Sequence, residues 1–158
     1  MGIKANQSAS DIQRQLLKEM ENVERNIEYF LTKIGESCVR LMRNGSEKSG
    51  KDYKDHSGNL RSSCGYAIAK DGRIINVGGF VGKGDEGKAT GKNIAIQIAE
   101  NKSVGGKYSF VLVAGMNYAS YVQAMGYDVM ESAELNAIKL VNELKTKDLT
   151  KNLRNGNS

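Results

Sequence analysis

The sequence predicts an α+β fold: a long N-terminal amphipathic helix, a mainly antiparallel sheet with a β-hairpin, and further helices packed on it. Three observations predict it. Apolar side chains recur at helical spacing from Ile12 to Leu41. Two strand-like runs, 64–69 and 73–80, flank Asp71-Gly72, a strong hairpin signal because a type I′ turn needs positive φ at both central positions. The order of helix, hairpin, loop, strand and helices lacks the βαβ alternation of a parallel sheet.

The first helix is expected over 10–43. Ser10-Asp11-Ile12-Gln13 reads as a capping box and Asn44-Gly45 as a C-terminal stop. Its apolar face runs through Ile12, Leu16, Met20, Val23, Ile27, Phe30, Ile34, Cys38 and Leu41. At 1.5 Å per residue the helix is about 50 Å long, whereas a compact chain of this size is about 40 Å across. Either it bends, with Gly35 as the candidate kink, or Leu16, Met20, Val23, Ile27 and Phe30 meet another subunit.

Residues 44–56 read as a polar loop. In the hairpin, Tyr66, Ile68 and one of Ile74 or Ile75 are expected on the buried face. The Gly- and Lys-rich stretch 78–91 reads as a mobile loop. Residues 92–102 fit a helix through Ile94, Ala95 and Ile98, or a strand through Ile94, Ile96 and Ile98. A buried strand is expected over 108–115, a short helix over 117–124 closing near Gly126, and a last helix capped by Ser132 with Leu135, Ile138, Val141 and Leu144 inward. One domain spanning 10–148 follows, between a flexible 1–9 and a disordered tail over 149–158.

Composition excludes several classes. The 158 residues hold no Pro, no Trp, one His and two Cys, which removes proline-rich ligand segments and disulfide scaffolds. Cys38, Cys64 and His56 match no zinc spacing, so no metal is expected, and the cysteines read as free thiols. Residues 1–10 lack the apolar core of a secretion signal, and no apolar run is long enough to cross a membrane. A net charge of +5 is spread thinly and permits nucleic-acid contact without indicating it.

Two motifs tempt. Gly82, Gly87 and Lys88 follow the P-loop spacing, but Ala89 replaces the magnesium-binding hydroxyl and Asp85-Glu86 place negative charge where phosphates would lie. His56 between Asp55 and Ser57 suggests a triad, but sequence neighbours do not make one. No catalytic residue and no cofactor is expected. Tyr118, Tyr121 and Tyr127 form an aromatic cluster suited to packing or an interface.

Two segments carry a resemblance. Asp55-His56-Ser57-Gly58-Asn59-Leu60-Arg61-Ser62-Ser63, followed by Gly65-Tyr66, resembles the Asp-x-Thr-Gly-x-Leu-Arg-x-Ser segment of phage tail-completion proteins (head–tail joining, minor tail), where it also precedes a hairpin. Ala114, Tyr118-Ala119, Tyr121-Val122, Gly126 and Tyr127 resemble that family's second segment, an Ala-x-Tyr-Ala-x-x-Val-Glu pattern leading into Gly. The resemblance covers roughly 10–147, including the long first helix. Ser57 stands for the usual Thr, and Gln123 for an acid. The stretches 78–91 and 92–107 are longer than the family pattern.

On the residues themselves, Ser57 can cap a helical turn, Gly58 lets the backbone bend, Leu60 anchors the turn in the core, and Arg61 is expected at the surface. The resemblance implies a non-enzymatic structural virion protein, made in the host cytoplasm. Its subunits would form a homo-oligomeric ring at the head–tail junction, contacting other neck or tail proteins. Lys83, Lys88 and Lys92 would then face passing DNA or a partner. The alternatives are a small nucleic-acid-binding module and a nucleotide-binding enzyme using 82–88.

Overall fold

The computed structural model describes residues 8–44 and 54–155, the last eight by backbone alone. Eight elements follow in order: α1 (Ala9–Asn44), α2 (Asn59–Ser62), β1 (Cys64–Lys70), β2 (Arg73–Gly79), α3 (Asp85–Lys102), β3 (Tyr108–Ala114), α4 (Ala119–Ala124) and α5 (Glu131–Asn155). The strands form one antiparallel sheet in the order β2-β1-β3. The fold is α+β.

The hairpin forms as its turn chemistry dictates. Asp71 and Gly72 both adopt positive φ, 52° and 73°. The pairing shifts register after Ile68, because Ile68 faces Asn76 while Ala69 faces Ile74, leaving Ile75 as the extra residue. The bulge resolves the choice between the two isoleucines: Ile75 packs with Tyr66 and Ile68, and Ile74 packs on the opposite face.

Both faces of the sheet are covered. Cys64, Tyr66 and Ile68 alternate toward α1 and α5, where Ile34, Cys38, Val39, Met42 and Ala133 complete the core. Ala67 and Ala69 face the other way and pack on Ala95 and Ala99 of α3, with Phe80 and Val113. Each layer has a packing rule of its own. The α1 face packs large side chains such as Ile34, Met42 and the Tyr66 ring among the small Cys38, Cys64 and Ala133. A Cβ on Gly35 would lie 2.6 Å from that ring and one on Gly78 2.4 Å from it, so the ring lies between two glycines. Gly35 therefore marks a close approach, and α1 runs through it without interruption.

The α3 face packs Ala67 and Ala69 on Ala95 and Ala99 beside the larger Phe80 and Val113, and here the sequence-based expectation of a mobile loop over 78–91 is corrected. Only a short turn separates β2 from α3, which starts at Asp85 and absorbs 92–102 as helix. Gly84, Gly87 and Gly91, then Ala95 and Ala99, form a small-residue face of that helix and its entry. A Cβ on Gly87 would lie 2.1 Å from the carbonyl oxygen of Asn59, and one on Gly91 2.3 Å from that of Ser63. The glycines that suggest mobility serve close packing instead. Asp85 and Glu86 sit in the first turn of α3, where the helix dipole favours negative charge.

Four further expectations change. The N-terminal cap of α1 is Ser8, not Ser10: its hydroxyl accepts the Asp11 N–H at 3.2 Å. Asp128 rather than Ser132 caps α5, its carboxylate accepting the Ser132 N–H at 3.1 Å. Helix α5 continues to Asn155, so a tail disordered from 149 is not found; 156–158 lie outside the described residues, as do 1–7 and 45–53. Finally, the inward face of α5 is phased differently. Ala133, Ala137, Leu140, Val141 and Leu144 reach the core, while Leu135 and Ile138 are exposed, as is Ile98 on α3.

Candidate functional site

The two motif segments meet in space. In the first, the Asp55 carboxylate accepts the Arg61 N–H at 2.8 Å and Ser57 Oγ accepts the Asn59 N–H at 3.2 Å. Gly58 turns the chain at φ 72°. These contacts wind 55–63 into a turn with Leu60 inside it, fully buried. Leu60 packs in one cluster with Met116, Ala119 and Val129, and Val122 joins at its edge. Two segments almost sixty residues apart thus share one small core. Arg61 is half-buried rather than at the surface, and His56 is exposed.

The rest of the second segment lies on the surface. Tyr118, Tyr121 and Tyr127 are exposed, with Met125 beside them, and Gly126 takes φ 87° to end α4. Gln123 Oε1 accepts the Met130 N–H at 3.2 Å, which helps set where α5 begins. Between α4 and the start of α5 runs an open groove of about 700 Å³, with Met116, Ala119 and Met130 as its floor and Glu131 and Glu134 on its rim.

The P-loop-like stretch makes a different structure. Ser62 Oγ accepts the Gly84 N–H at 3.0 Å, and Asn59 Oδ1 accepts the Gly87 N–H at 3.2 Å. Those amides are the donors a phosphate cradle would need, and they already have partners. Lys88 Nζ pairs with Asp85 at 2.7 Å, which holds the Asp85 carboxyl below its usual range. Asn59 also donates to Glu86 at 3.2 Å. Together with Ser62, Asn59 thus links α2 to α3. Sequence reasoning gave it no role, although the Gly84, Gly87, Gly91, Ala95, Ala99 spacing was there to find it. Lys83 lies in the turn before α3, Lys88 and Lys92 on its first turns, so the three do not share one loop.

A long apolar surface is exposed on α1. Leu16, Leu17, Met20, Val23, Ile27, Tyr29 and Phe30 are all exposed, Met20 by 61% and Val23 by 56%. One helix therefore carries a covered half and a bare half. At the border, Lys70 of β1 pairs with Glu24 and lies 5.3 Å over the Tyr108 ring.

The titratable groups serve the core. Burial, then the hydrogen bond to Glu36 at 2.9 Å, pushes the Tyr66 hydroxyl up to about 12. Asn76 and Thr32 complete that network. Burial also raises the Cys38 thiol, and Cys38 and Cys64 are both buried and not joined in a disulfide. Among the described residues no three His, Cys, Asp or Glu side chains gather as a metal site, and no helix is long and apolar enough to cross a membrane. Compared with protein-family models, curated proteins and solved structures, the chain matches none.

Proposed function

We propose that this chain is a non-enzymatic structural subunit of a tailed-phage virion, assembling with itself into a ring at the head–tail junction and joining other neck or tail proteins. The observation that carries the assembly reading is the bare apolar half of α1, because contiguous apolar surface on that scale marks an interaction site. The kind of assembly comes from the resemblance of the two motif segments. Their convergence on Leu60, Ala119 and Val122 supports treating them as one unit.

In such a ring a neighbour covers the α1 stripe, and the exposed Tyr118, Tyr121 and Met125 contact a neck or tail protein. Lys83 and Lys92, both exposed, would face the DNA passage. Nucleotide chemistry at 82–88 has no support from the geometry, since the Gly84 and Gly87 amides are occupied. Electron microscopy of the purified chain mixed with connector and tail-tube proteins tests the proposal. A ring seated at their junction is expected; a chain that joins neither component overturns it.

A further inference from the structure

The bare half of α1 is not only apolar; it has the repeat of a coiled-coil seam. Leu16, Met20, Val23, Ile27, Phe30 and Ile34 follow steps of four and three without exception. In heptad terms Leu16, Val23 and Phe30 are d positions and Met20, Ile27 and Ile34 are a positions. Among the described residues this seam has a partner only at its end, where Ile34 packs with Ala133, Leu140 and Leu144 of α5. At the next seam spacing α5 carries the exposed Lys147, while the apolar repeat of α1 continues. Met20 and Val23 stay more than half exposed.

We propose that the occupant is a second copy of the same α1, running antiparallel about a two-fold axis near Arg25. Three observations select this arrangement. First, the antiparallel register places every a opposite a d: Val23 against the partner's Ile27, Met20 against the partner's Phe30, and Leu16 against the partner's Ile34. Second, the flanking charges choose the direction. The g positions are Glu19, Asn26 and Lys33, and the e positions are Leu17, Glu24 and Leu31. Antiparallel pairing sets Glu19 against the partner's Lys33, twice, and Asn26 against the partner's Asn26. Parallel pairing sets Glu19 against the partner's Glu24, and like charges there oppose it. Glu24 would meet its own copy across the axis, but it is already held by Lys70. Third, a groove of about 300 Å³ lies at the end of the seam, between α1 and α5, with Phe30, Ile34, Leu140 and Leu144 among its walls. The register delivers the partner's Leu16 to that groove.

The contact is isologous, so it closes after two copies and cannot propagate. It uses the face that a ring would use head to tail, and so describes the protein before assembly. It stands whether or not the virion reading holds.

Sedimentation of the full chain tests it. A reversible dimer of twice the 17.2 kDa chain mass is expected. Glu19→Lys and Lys33→Glu should each weaken it about tenfold or more, by turning two attractive contacts repulsive. The double variant Glu19→Lys/Lys33→Glu should restore it. Val23→Asp should give a monomer with unchanged helical circular dichroism, which separates lost pairing from lost folding. A monomer persisting to high micromolar concentration overturns the proposal. So does an assembly larger than two, or a dimer that Glu19→Lys tightens, the signature of a parallel pair.

Discussion

Ile34 and Val23 lie eleven residues apart on α1, three turns of one helix, and so point in nearly the same direction. Ile34 is 3% exposed and Val23 56%. The same repeat is closed by the chain itself at one end and left open at the other. Periodicity records that a face is meant to be buried; it does not record what buries it.

Substitutions that treat the halves alike should separate them. The largest contrast is expected from aspartate. Ile34→Asp places an unpaired charge in the core and should abolish folding, at several kcal/mol, while Val23→Asp should shift the unfolding free energy of the monomer by no more than about 0.5 kcal/mol. Urea unfolding reads both, and similar losses would dissolve the distinction. Methionine gives a matched pair: Met42 is buried and Met20 is 61% exposed. Met42→Ala should lose about 2–5 kcal/mol, and Met20→Ala almost nothing.

Gly35 sharpens the border between the halves. In an exposed helix Gly→Ala gains about 1 kcal/mol, but here the methyl meets the Tyr66 ring, so Gly35→Ala should lose about 1–3 kcal/mol by overpacking. A gain in stability would show that Tyr66 gives way freely. The smallest effect is confined to alkaline pH. The Tyr66 hydroxyl titrates near 12 folded and near 10 unfolded. The unfolded chain loses that proton first, so the Tyr66 contribution is complete below about pH 10 and falls as pH rises toward 12. Tyr66→Phe should flatten that part of the stability profile.

Local rules made most of the fold legible. Asp71-Gly72 named its own turn, and the Ile12 to Leu41 repeat named α1. The glycines of 84–91 signal flexibility locally and close packing globally; the placement of Asn59 and Ser63 against them decides between the two. Leu135 and Ile138 fit a helical repeat with Val141 and Leu144, but the observed face is set by Ala133 and Ala137, which are small enough to approach α1. The turn at 55–63 was readable, since Ser57, Gly58 and Leu60 each act as their chemistry suggests. Its union with Ala119 and Val122 was not, because nothing in either segment encodes the other's position.

The unbroken passage of α1 through Gly35 has a mechanical consequence. A helix of 36 residues is a stiff strut about 54 Å long, clamped at one end between the sheet and α5 and with Leu16 and Met20 exposed toward the other. Whatever grips Leu16 and Met20 holds a handle. A small swing there becomes torque at the clamp, where Glu36, Tyr66, Asn76 and Thr32 are tied together. A load applied at the tip is thus carried by one continuous helix to the strand pair at its base.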